Sequence, residues 1–115
     1  MSPEEMRRLT RLGQLAGLLR EAALADLAAA RARRVRIEGA IARLDTPPAQ
    51  PEGADSPASR AGAARRWHDW VRARKTVLNA DLARARVGEE AARTAAAKSQ
   101  GRAEALARLA ARRRR

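Results

Sequence analysis

The sequence predicts an all-α protein: a long antiparallel two-helix coiled-coil hairpin whose second helix is the longer. Three observations predict it. Bulky apolar residues are scarce, the apolar residues recur at three- and four-residue intervals, and one proline-rich break separates two periodic stretches. Leu, Ile and Val supply 18 of 115 residues, whereas Ala supplies 30. That is too little bulk for a compact globule, but a thin alanine-rich seam between two helices needs little more. The length allows one domain at most.

Helix one is expected over 3–44. Ser2 can cap it, Pro3 suits the first helical position, and Glu5 completes an S-x-x-E capping box. No proline follows until the break. Leu9, Leu12, Ala16, Leu19 and Ala23 keep a 3-4 rhythm, and Leu27, Ala30, Arg34, Ile37, Ile41 and Leu44 resume it. The join between the two sets is a stutter in the heptad pattern, with Leu15 and Leu18 widening the stripe beside it. Nothing alternates with period two, so strands are excluded.

The stretch 45–59 holds Pro47, Pro48, Pro51, Pro57 and Gly53 and reads as a turn or loop. Ser56-Pro57 repeats the cap logic of Ser2-Pro3 and opens helix two, expected over 57–111. Its repeat is the cleaner one. Ala64, Val71, Leu78, Ala85, Ala92, Ser99 and Leu106 stand seven apart, Leu82, Ala96, Ala103 and Ala110 fill the partner position, and Glu89 interrupts it. High Ala and Arg content favours helix intrinsically. Two such helices around one break form a hairpin; a parallel dimer of the same helices is the alternative.

In an antiparallel hairpin of these two helices, facing residues are expected to have numbers that sum to about 102. Trp67 is then expected near Val35 and Ile37, Leu78 near Leu24, and Leu82 near Leu19 and Arg20. Helix two beyond Gly101 is expected to overhang, a basic C-terminal segment with no partner in its own chain.

Charge narrows the partners. Basic residues number 25 against 13 acidic, for a net charge of +12, which favours nucleic acid, anionic lipid or an acidic protein surface. No run approaches the roughly 18 apolar residues that span a bilayer, so no membrane insertion is expected. The N-terminal segment carries two early glutamates and no uninterrupted apolar stretch. It is no secretory signal, and a cytoplasmic location is expected. The chain has no Cys, hence no disulfide framework or thiolate metal site.

No catalytic, cofactor or metal site is expected. His68 is the sole histidine, and the glycines form no phosphate-binding loop. The carboxylates lie at helical spacing from arginines, as in Glu104 and Arg108, and read as structural. Two segments are candidates for partner binding. The first is Trp67 and Trp70, one helical turn apart, among Arg65, Arg66, Arg72, Arg74 and Lys75, with Arg31, Arg33, Arg34 and Arg36 expected opposite as an electropositive belt. The tryptophans either fill the seam or anchor a docking surface. The second is the C-terminal stretch, with Arg102, Leu106, Leu109, Arg112 and Arg113. Its apolar stripe either frays or pairs with another molecule.

The segment W-x-x-W-x-x-x-R-x-x-x-L-N-x-x-L-A-R-A-R from Trp67 to Arg86 and the trailing GRAEALARLAARR, on a hairpin with a longer second helix, resemble the FliJ/YscO family. These are the small coiled-coil proteins of flagellar and virulence type III export, and the short alphaproteobacterial versions are the nearest in character. The resemblance implies an antiparallel coiled coil similar to the rotary stalk of the F-type ATP synthase. Its partners would be the export ATPase ring, the export gate and export chaperones. The sequence is shorter than typical members, and no single residue carries over. A stalk or adaptor of an export ATPase is therefore the leading expectation, and a basic nucleic-acid-associated helical protein, binding at low salt, is the alternative.

Overall fold

Why each helix starts where it does is visible at its cap. In the computed structural model, which describes residues 2–47 and 56–114, the Glu5 amide donates to Ser2 Oγ at 3.2 Å and the Met6 amide to the Ser2 carbonyl at 3.1 Å. Helix α1 then runs Pro3–Arg43. At the second start the Ser59 amide donates to Ser56 Oγ at 3.0 Å, and α2 runs Pro57–Arg113. In both, serine satisfies an amide that the first turn leaves without a carbonyl, and proline follows where its missing N–H costs nothing. Helix α1 ends in tightened i→i+3 bonds, Leu44 to Ile41 and Asp45 to Ala42 at 3.1 Å each, before Pro47.

The two helices, of 41 and 57 residues, make the all-α hairpin with the longer second helix. The bounds differ from expectation by a residue at the end of α1 and by two at the end of α2. The break ends at Ser56 instead of 59, and the prolines at 48 and 51 lie outside the described residues.

The chain divides into two compact units, one of 1–32 with 87–115 and one of 33–86. In the first unit, one groove is shared by Met6, Leu9 and Gly13 with Ala103, Leu106 and Ala110. The next is shared by Leu12 to Leu19 with Ser99 to Leu106, and Arg31 meets Glu89 at 3.8 Å. Contacts thus descend one helix as they climb the other, which is antiparallel pairing. In the second unit, Arg86 reaches Glu38 at 3.8 Å and Lys75 reaches Asp45 at 2.8 Å, again in opposite order.

These pairs overturn the expected register. Facing residues have numbers that sum to about 120, not 102. The C-terminal overhang does not exist as such: Ala103, Leu106 and Ala110 face the start of α1. Leu78 and Leu82 share the second unit with Glu38 and Asp45, and their expected partners Leu24 and Leu19 belong to the first. With Lys75 on Asp45, Trp67 and Val35 fall on opposite sides of that pair, roughly 27 Å apart along the axis. Two gains account for the slide. It covers the apolar stripe of the tail, which the shorter register leaves in water. It also brings Arg31 of α1 to 3.8 Å from Glu89, which is buried in the seam and already paired within its own helix to Arg93 at 3.1 Å.

From Val71 onward the seam of α2 is the one expected, but Ala64, its first expected member, lies beyond the end of α1 and is exposed. Leu78, Ala85, Glu89 and Ala96 are buried, and Val71, Leu82, Ala92, Ser99, Ala103, Leu106 and Ala110 are half-buried. The seam of α1 is not. From Leu9 it continues past Gly13, which is exposed at the edge of a groove, through Ala16, Arg20, Ala23, Leu27, Ala30, Arg34, Ile37 and Ile41 to Leu44 in unbroken 4-3 steps, so there is no stutter. Leu12 and Leu19, which their spacing assigns to the seam, stand beside it and are exposed. The core is one residue wide, and only six described side chains are buried at all.

Candidate protein-docking surface

In the second unit, Trp67 and Trp70 lie one turn apart on α2. Their rings stack with centroids 5.4 Å apart and planes inclined by 25°, a favourable offset arrangement. Trp67 continues the inward line that leads through Val71 to Leu78 and is half-buried, while Trp70 is 53% exposed. The expected packing of Trp67 on Val35 and Ile37 is replaced by the Trp–Trp stack. With Lys75 on Asp45, register carries the tryptophans about two to three turns past the end of α1 and away from Val35 and Ile37.

Arg65, Arg66, Arg72 and Arg74 are all exposed, and none forms an ion pair among the described residues. The belt expected from α1 does not assemble around the tryptophans. Arg34 pairs with Glu38 at 3.2 Å and Arg31 with Glu89; by register Arg33 and Arg36 lie several turns away. Of the α1 arginines, Arg31 and Arg34 pair with glutamates, while Arg33 and Arg36 are exposed.

In the first unit, the C-terminal candidates separate. Leu106 is half-buried in the seam, Leu109 is on the surface, and Arg112 and Arg113 are exposed. Glu104 accepts a hydrogen bond from Gln100 at 2.8 Å, in the place expected for Arg108. Arg102 lines a groove of about 390 Å³ with Ala105 and Leu106 on one side and Leu12, Leu15 and Leu19 on the other. Leu12, Leu15, Leu18 and Leu19 are between 51% and 63% exposed. Four half-bare leucines within eight residues are an apolar patch of the kind that marks interaction sites.

Spacing alone assigns Leu12 and Leu19 to the helix seam. A signal that places them outside is nevertheless present in the chain: continuing the 3-4 rhythm back from Ala23 gives Arg20, Ala16, Gly13 and Leu9. Bulk draws the eye to Leu19 and Leu12 instead.

Among the described residues no group of three or more His, Asp or Glu could hold a metal ion, and no helix is long and apolar enough to cross a membrane. Comparison with protein-family models, curated proteins and solved structures found no match.

Proposed function

We propose that this chain is a non-enzymatic coiled-coil stalk or adaptor for an ATPase-driven export machine of the flagellar or type III kind. One observation carries the reading. Two long uninterrupted helices pack along a seam so rich in Ala that nearly every other side chain is left on the surface. Small seam residues let the helices approach closely within each unit and leave most other side chains at the surface, where partners can reach them. That suits a part seated in a ring. The corrected register alters which end would enter it: the start of α1 and the end of α2 are paired, giving a two-stranded end in place of a single protruding helix.

A second reading has its own observation. Trp70, stacked on Trp67 and flanked one turn either way on its own face by Arg66 and Arg74, neither with an ion-pair partner among the described residues, is a platform on which a base could stack while the arginines neutralise phosphates.

The test is binding near physiological salt, because an Arg-rich surface holds any polyanion at low salt. A stalk retains a purified export ATPase there and sheds nucleic acid. Selective nucleic-acid binding at that salt, lost in Trp70→Ala, with no ATPase retained, would put the second reading first. Deleting residues 101–115 does not serve as a test, since it strips the start of α1 of its partner and so reports folding.

A further inference from the structure

The leucine face of the first unit belongs to neither reading. Its α1 side, Leu12, Leu15 and Leu19, and its α2 side, Ala105 and Leu106, form a concave apolar groove between two walls of helix. A trough of that section takes a third helix, laid along it with residues spaced i, i+3, i+4 and i+7.

Charge decides which helix. Across 8–22 there are three basic residues and one acid, Glu21; across 98–115 there are seven basic residues and one acid, Glu104. Arg8 and Arg11 precede Leu12 and Leu15 by one turn and share their face of α1. On α2, Lys98 precedes Arg102 by a turn, and Arg102 lines the groove itself. None of these four forms an ion pair among the described residues. The groove is thus apolar along its floor and electropositive on both rims.

We infer that this groove docks an amphipathic helix of a protein partner whose leucine-like stripe is flanked by acidic residues. A second copy of this chain is disfavoured, because it would bring net +12 against net +12 and set its own basic rims on these. An anionic membrane satisfies the charge but not the shape. The leucines sit against a second helix wall, and a bilayer surface prefers a convex apolar face rich in bulky side chains.

The inference stands whatever the export ATPase does, and its experiment uses no ATPase. The probe is a synthetic helix of about 18 residues with leucines at i, i+3, i+4 and i+7 and glutamates beside them. Its control carries lysines in place of the glutamates. At physiological salt the full chain should bind the acidic helix at least tenfold more tightly than the lysine helix. The variant Leu12→Gln/Leu15→Gln/Leu19→Gln should lose at least tenfold while keeping its helical circular dichroism. Leu24→Gln, an exposed leucine outside the groove, should bind as the parent does. Failure to bind the acidic helix, equal binding by the triple variant, or equal binding of both helices would overturn the inference. So would sedimentation of a dimer that the triple variant abolishes. A further overturning result is groove-dependent binding to vesicles of phosphatidylcholine and phosphatidylglycerol stronger than to the helix.

Discussion

Leu78 and Leu15 are the same residue type on long helices of the same hairpin, yet Leu78 is 6% exposed and Leu15 is 53% exposed. Around Leu78, in the second unit, the seam is bulky: Ile37, Ile41 and Leu44 on α1, Leu78 and Leu82 on α2. Around Leu15, in the first unit, the seam positions are Gly13, Ala16 and Arg20, and the leucines stand beside it. Position in the helical phase, not size, decides which side chain the partner helix covers. A helix can turn only one stripe inward, and the stripe is chosen by its whole length. In α1 the stretch from Ala23 to Leu44 sets the phase, and the leucines at 12, 15, 18 and 19 are carried outward with it.

Mutating both leucines turns that contrast into numbers. Leu78→Ala should cost about 2–3 kcal/mol in thermal or denaturant unfolding, toward the lower end for a large-to-small change because a one-residue-wide core collapses readily. Leu15→Gln should change stability by no more than about 0.5 kcal/mol. Equal costs would mean that Leu15 is covered and the groove is not free.

A smaller effect of opposite sign is expected at Gly13. A Cβ added there meets nothing within 4 Å, and Gly in a helix interior costs roughly 0.5–1 kcal/mol relative to Ala. Gly13→Ala should therefore raise the unfolding free energy by about that amount. A loss of stability would show that α2 approaches the seam more closely at Gly13 than the open groove lined by Gly13 and Ala103 allows.

How much of this was legible follows from what periodicity encodes. The caps at Ser2 and Ser56, the single break, both helices and the inward stripe of α2 could be read from the chain, since each depends on residues close in sequence. Glu89 was legible as the polar interruption, though not its partner Arg31 on the other helix. The register was not legible. Sliding α2 by about 18 residues is five helical turns, so every face points as before and the heptad pattern is equally satisfied. What selects the slide is long-range: the tail stripe of Ala103, Leu106 and Ala110 needs cover, and Glu89 gains Arg31 of α1. The surface status of Leu12 and Leu19 was hidden for a related reason. Placing Gly13 and Arg20 in a seam looks costly until the phase of the rest of α1 is taken into account.

The register is the central claim, because the groove, the paired ends of the chain and the placement of the tryptophans all depend on it. The protein has no cysteine, so spin labels can be placed cleanly by Thr10→Cys with Ala107→Cys, and by Thr10→Cys with Ala91→Cys. All three positions are exposed, and Thr10 and Ala107 line one groove. Pulsed electron–electron dipolar distances should put the 10–107 pair side by side and the 10–91 pair further apart. The 16-residue difference on α2 corresponds to roughly 24 Å of axial offset. A shorter distance for 10–91 than for 10–107 would restore the tighter hairpin, with its overhanging basic tail, and would contradict the longer register and the groove built on it.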